Sequence, residues 1–244
     1  MGKNSPGGLE LIAHAVRKAA LKESGKVLDI GCGEGETMEM LNQRFHIRCS
    51  GIDKSAELVE RGKARYPDMD IREGAADFLE FPIRSFDGVL LECVLSVAEF
   101  QTEAIHEAYC VLKDGGKLII SDLFVKGVRP RKIAERRADD VRGSLRDRED
   151  CGAIDIEKLA NVCGAIGFQE LLREDRSEDL KVFVAEKIME HGSMEQYFAS
   201  VVSGGMPAET FCRASETNKK LGYFLLIMEK PKRGIRNDTT GKIV

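Results

Sequence analysis

The segment Asp29-Ile30-Gly31-Cys32-Gly33-Glu34-Gly35 sets an acid two residues ahead of three glycines at alternating positions. It follows the apolar pair Val27-Leu28 and precedes polar residues suited to opening a helix. Glycines at such a turn let backbone N–H groups approach a ligand closely and adopt φ values that other residues resist. A dinucleotide fingerprint needs glycine at the first, third and sixth positions. The sixth position from Gly31 is Glu36, whose carboxylate would point toward the place a pyrophosphate occupies. The loop therefore suits a zwitterionic ligand, with backbone N–H groups for a carboxylate and Asp29 for an ammonium.

Such a loop needs a sheet to hold it. Thr37 to Arg44 reads as a helix, with Met38 and Leu41 at helical spacing, and Ile47 to Asp53 as a second strand ending in an acid. Ala56 to Arg65 is a helix stopped by Tyr66-Pro67, and Met69 to Ile71 a short third strand. Phe86 to Leu91, a helix from Gln101 to Leu112, and Lys117 to Ser121 after an Asp114-Gly115-Gly116 turn come next. Helix Ile156–Ile166, strand Phe168–Leu172 and strand Gly222–Met228 complete the pattern. Strands spaced by helix-length segments predict βαβ units and a parallel sheet covered on both faces.

The chain has 244 residues, enough for one α/β domain with an insertion. A net charge of −4 argues against general affinity for nucleic acid. The polar start, Met1 to Pro6, lacks a signal-peptide core, and no apolar run reaches membrane-spanning length, so a cytoplasmic location is expected. Seven cysteines without a Cys-x-x-Cys pair predict reduced thiols rather than a disulfide framework or a structural zinc site. No metal is expected. The arginine-dense stretch from Lys126 to Asp150 is interleaved with acids and reads as a solvated helix.

Between the last two strands lies a long connection. Leu180, Phe183, Val184 and Ile188 recur at helical spacing, as do Met194, Tyr197, Phe198, Val201 and Val202 after a break near His191-Gly192. Residues 176–219 are read as a helical insertion that packs on the sheet, roofs a substrate cavity or forms a dimer contact. Residues 1–24 form an N-terminal cap helix, 25–175 with 220–230 the main domain, and 231–244 a flexible tail.

The run Asp-x-Gly-x-Gly-x-Gly at Asp29–Gly35 resembles the first motif of the class I S-adenosylmethionine-dependent methyltransferases, of the type 11 group that includes ubiquinone–menaquinone and arsenite methyltransferases. Three later segments extend the likeness: Glu73-Gly74-Ala75-Ala76-Asp77-Phe78, Ser85-Phe86-Asp87-Gly88-Val89-Leu90-Leu91-Glu92-Cys93 and Leu112-Lys113-Asp114-Gly115-Gly116. The resemblance implies an α/β, Rossmann-like, doubly wound sheet of seven mostly parallel strands, the last antiparallel. It implies S-adenosylmethionine as cofactor and S-adenosylhomocysteine as product. Asp29, Gly31, Cys32, Gly33, Glu34, Gly35, Asp53, Lys54, Ala76, Asp77, Phe78 and Glu92 would then bind the cofactor, with Asp53 on the ribose hydroxyls. Ala75 stands where many relatives carry an acid that reads adenine, and either Asp77 or the backbone alone would take its place.

The fourth-strand motif lacks the Asn/Asp-Pro-Pro-aromatic run of the amide-N-methylating subset. The expected acceptor is therefore a small molecule methylated at carbon, oxygen or nitrogen. Glu92 and Cys93 are the candidate catalytic residues, and Cys151 and Tyr197 the candidate substrate contacts. His14, His46, His106 and His191 all fall away from the motif strand ends, and His14 reads as a helix-face residue. The segments around Cys93 and Cys151 also resemble arsenite methyltransferases, so thiol-held metalloid is an alternative acceptor. A non-catalytic cofactor-binding module is the rival of another class, and a dinucleotide oxidoreductase a third. A homodimer through the insertion is a further possibility.

Overall fold

The computed structural model describes residues 5–126, 145, 153–200 and 220–232. The Arg-rich stretch from 127, apart from Leu145, Cys151, the second half of the insertion and the tail from 233 lie outside the described residues.

Among the described residues seven strands form one sheet: β1 (Lys26–Ile30), β2 (Arg48–Asp53), β3 (Asp70–Glu73), β4 (Phe86–Glu92), β5 (Leu112–Val125), β6 (Gln169–Asp175) and β7 (Leu221–Glu229). Their order is β3-β2-β1-β4-β5-β7-β6. The first five are parallel, and β7 inserts antiparallel between β5 and β6. Among the described residues the helices are α1 (Gly8–Lys18), α2 (Glu36–Phe45), α3 (Ala56–Arg65), α4 (Gln101–Val111), α5 (Ile156–Ile166), α6 (Ser177–His191) and α7 (Met194–Ser200).

Strand alternation sorts the core into two layers. Val27, Leu90, Ile119, Leu225 and Ile227 face α1, α2 and the α6–α7 pair, against Leu11, Leu41, Leu180, Phe183 and Tyr197. Leu28, Val89, Leu91, Leu118, Ile120, Phe224 and Leu226 face α4 and α5, against Ala104, Ala108, Leu159 and Val162. Both faces of the central strands are therefore buried. That is why Val27–Ile30 and Gly222–Met228 read as near-continuous apolar runs rather than alternating ones.

Two details differ from the sequence reading. The Asp114-Gly115-Gly116 turn is an irregularity within β5: Phe86 pairs with Leu112 but Gly88 with Lys117, and Gly115 takes up the slack at φ +83°. Strand β6 starts one residue later than Phe168 and runs to Asp175. It is an edge strand, and its charged residues suit that position. The first part of the insertion packs on the sheet through Leu180, Phe183 and Tyr197, leaving Val182, Ile188 and Met189 exposed. Its approach is close, because a Cβ at Gly222 would lie 2.6 Å from Ser177 Oγ and 2.4 Å from Phe124 Cε1. Among the described residues no helix is long and apolar enough to cross a membrane.

Candidate functional site

The strand order reverses between β1 and β4. In a doubly wound sheet, the helices after two such strands leave on opposite faces, and a crevice opens beyond their carboxyl ends. The glycine loop follows β1 at this point, and Glu92-Cys93 ends β4.

The loop hangs from β2. Gly31 N and Cys32 N both donate to Ile52 O, at 2.8 and 3.0 Å, and Gly33 N donates to Asp53 Oδ2 at 2.9 Å. Gly31, Gly33 and Gly35 have φ of +72°, +56° and +91°. At Gly31 a Cβ would lie 2.5 Å from Val94 Cγ2, and at Gly35 2.9 Å from Ile71 Cδ1. Gly33 differs, since a Cβ there would meet nothing within 4 Å and would project into the open crevice. That space is what a close-lying ligand needs.

Asp53 is only 8% exposed. Besides Gly33, its carboxylate accepts from Ser55 N through Oδ1 at 2.9 Å. It is not the cap of α3, because Ser55 fills that role by accepting from Leu58 N. Asp53 therefore ties the glycine loop to the start of α3 and still has acceptor lone pairs for a diol. Lys54 beside it is exposed. Asp29, 2% exposed, is buried in β1 opposite Gly51 and Leu90. Its charge, after burial, helps push the Cys49 thiol far up. The acidic side chains flanking the loop are engaged on α3: Glu34 pairs with Arg61 at 2.5 Å, and Glu36 with Arg65 at 3.0 Å. The Glu36 carboxylate thus meets an arginine of α3, a destination the spacing argument did not foresee. Cys32 is buried among Met38, Val59 and Ile71.

The Gly74–Phe81 segment follows β3. Gly74 N donates to Asp53 O, and Leu79 N to Glu107 Oε2. Ala75 and Phe78 form a local bridge with Ala76 and Asp77 between them, and Phe78 is 69% exposed.

At the end of β4, Ser5 Oγ donates to Glu92 Oε1 at 2.5 Å, so the N-terminal segment reaches the strand end. Cys93 is buried at φ +55°, an uncommon conformation for a residue with a Cβ. Cys93 N donates to Ser121 O at 2.8 Å, and Cys93 Sγ lies 3.2 Å from Tyr223 Oη, which donates to Ser121 Oγ. Burial, then the neighbouring Cys93, holds the Tyr223 phenol well above its ordinary pKa. Asp122 is fully buried and accepts from Ser96 N and Leu123 N. Burial raises its carboxyl to about 6, against those bonds. Tyr197 of α7 is buried beside Cys93 in the same cluster.

The structure thus brings Gly31, Gly33, Asp53, Glu92, Cys93 and Tyr197 to one end of the sheet. His14 is elsewhere, 3.0 Å from Glu174 of β6. Sequence reading missed Ser5, Ser121, Asp122 and Tyr223, none of which carries a motif signal. A cleft of about 240 Å³ between Arg48, Arg72, Phe81 and Phe86 lies at the opposite, amino ends of the strands, and no glycine-loop residue lines it.

Residues 28–120 match the protein family described as "Methyltransferase domain". Phosphoethanolamine N-methyltransferase 1 of Arabidopsis thaliana is 24% identical over 239 residues, covering 91% of this chain and 46% of that protein. Arsenite methyltransferase of Aquipseudomonas alcaligenes is 30% identical over 137 residues, covering 50% and 38%. The solved structure of Haemonchus contortus phosphoethanolamine N-methyltransferase 2, with phosphomonomethylethanolamine and S-adenosylhomocysteine, shares the fold at a TM-score of 0.67. It is 19% identical and covers 93% of this chain and 54% of that one. The chain spans about half the length of the curated relatives it matches. The family match begins at Leu28 and ends within β5, enclosing the glycine loop, Asp53 and the β4 end. Residues 28–120 are thus a methyltransferase domain, and the chain resembles the class I S-adenosylmethionine-dependent methyltransferases of the type 11 group.

Proposed function

We propose that this protein transfers the methyl group of S-adenosylmethionine to a small-molecule acceptor at the carboxyl ends of β1, β2 and β4. The observation that carries this reading is the open space at Gly33 beside the buried Asp53 carboxylate. The cofactor supplies an electrophilic methyl group on a sulfonium. The residues of this chain align, desolvate and manage a proton. The Gly31–Gly35 backbone lines the cofactor, with Asp53 accepting from its ribose hydroxyls. The Ala76-Asp77-Phe78 segment and Lys54 flank the adenosine. Asp29 supports the loop from within the sheet. Cys32 and Glu34 contribute through the backbone of the loop, since their side chains are buried and paired elsewhere. Glu92 stands where it can receive a proton from the acceptor, and the Ser5 hydroxyl orients its carboxylate.

The test is tritium transfer from S-adenosylmethionine to a deproteinised metabolite extract, beside calorimetry with S-adenosylhomocysteine. Product binding without transfer would leave a cofactor-binding module rather than an enzyme, and no binding of either form would remove the reading. A thermal shift with NAD alone would revive the dinucleotide reading.

A second reading takes a trivalent metalloid as acceptor. It rests on the buried Cys93 thiol at the β4 end and on the likeness to an arsenite methyltransferase. Arsenite should then protect Cys93 and Cys151 from alkylation, and unchanged labelling would dismiss it. The exposed Val182, Ile188 and Met189 face of α6 is where a second copy would pair. A sedimentation result of monomer at high protein concentration would exclude that.

A further inference from the structure

Tyr197 is 2% exposed, yet its hydroxyl has no hydrogen-bond partner among the described residues. The ring itself is clamped. Phe183 lies at 5.7 Å and 81°, His191 at 5.3 Å and 61°, and Phe198 at 5.3 Å and 49°. Lys187 Nζ sits 5.5 Å from the ring centroid, itself paired to Glu190 at 2.8 Å. A ring held on these sides cannot swing its hydroxyl out to water without breaking the packing of α6 against α7. Burial, then the nearby Cys93 and Glu190, raises the phenol to about 12, so at neutral pH it is a fixed O–H donor. Cys93, in the same buried cluster, directly follows β4, the strand end assigned to the acceptor.

A buried hydroxyl left without a partner costs about 1–3 kcal/mol. A site keeps such a group when a ligand completes it. The donor cannot serve the nucleophile, because holding the attacking lone pair would slow the displacement. It suits a second atom of the same molecule.

We propose that Tyr197 donates a hydrogen bond to a non-reacting oxygen of the methyl acceptor. The substrate is thus bifunctional, with an oxygen-bearing group held by the insertion and a separate nucleophile presented at the β4 end. This rests on the methyltransferase reading above and narrows its substrate class. Tyr197 is a specificity residue in this scheme, not the base.

The full-length protein and Tyr197→Phe decide it. Removing an unpartnered hydroxyl should leave the ligand-free melting temperature unchanged or raise it. A fall of several degrees would mean that the hydroxyl has a partner in the fold, and would overturn the proposal. Affinity for S-adenosylhomocysteine should stay within twofold, and a larger loss would assign Tyr197 to the cofactor instead. Methylation rates are then followed across dilutions of one deproteinised metabolite extract. Tyr197→Phe should raise the half-saturating extract concentration at least tenfold, about 1.4 kcal/mol, with the plateau rate within twofold. An unchanged half-saturation sinks this inference and leaves the methyltransferase reading standing. A wild-type protein that binds product but methylates nothing sinks both.

Discussion

Replacing Asp53 by alanine separates the two tasks of that carboxylate. In the protein it accepts from Gly33 N and Ser55 N, both at 2.9 Å, at a site only 8% exposed. Hydrogen bonds to a charged acceptor contribute about 1.5–3 kcal/mol each, and these two N–H groups can recover part of that from water. A net loss of about 3 kcal/mol is expected, which for a chain of this length lowers the melting temperature by roughly 6–12 °C. Ligand affinity suffers separately. Two ribose hydroxyls donating to the carboxylate would contribute about 3–6 kcal/mol together, so Kd for S-adenosylhomocysteine should rise by roughly a hundredfold to ten-thousandfold. Calorimetry well below the melting temperature of the variant measures this without interference from unfolding. If Kd moves less than threefold in a folded variant, Asp53 is a structural tie between β1 and α3 and the ribose assignment is wrong.

Gly33→Ala should cost only the roughly 1–2 kcal/mol of a left-handed residue, because its Cβ meets no protein atom, yet weaken S-adenosylhomocysteine at least tenfold by filling the crevice. Unchanged affinity would show that the ligand does not approach that residue. Asp122 should make stability fall with rising pH. Its carboxyl sits at about 6 when folded against 3.8 as the reference, so its contribution is fully present below about pH 4 and lost as pH rises through 6. The gap of about two pKa units corresponds to about 3 kcal/mol. Urea titrations of wild type and Asp122→Asn at pH 4.5 and 7 should diverge in that sense, and parallel curves would refute it. Tyr223→Phe removes the hydroxyl joining Cys93 and Ser121, so a loss of about 1–3 kcal/mol and faster alkylation of Cys93 are expected. Labelling as slow as in wild type would show that the thiol is shielded by packing alone.

Much of the fold was legible because its signals are local. Ala56–Arg65 and Ile156–Ile166 are helices at the bounds read from the sequence, and Ser55 and Asp155 accept from the third residue of each helix. The Gly115–Gly116 segment was read as a turn and is an irregularity inside β5. Local composition cannot tell a turn from a bulge that a neighbouring strand holds in register.

The glycine loop and the acid ending β2 were legible for the same local reason. Gly31, Gly33 and Gly35 adopt positive φ that only glycine takes readily, and Asp53 ends its strand 24 residues after Asp29. The rest of the site was legible only in part: Glu92, Cys93 and Tyr197 were singled out, but Ser5, Ser121 and Tyr223 were not. Ser5, Glu92, Cys93, Ser121, Tyr197 and Tyr223 are spread over more than two hundred residues and meet only because β7 turns back beside β5 and α7 folds onto them. No spacing rule links residues so far apart along the chain. Local sequence determined the glycine loop and the acid beside it, while the long-range packing of the sheet and the insertion decided which polar groups meet at the β4 end.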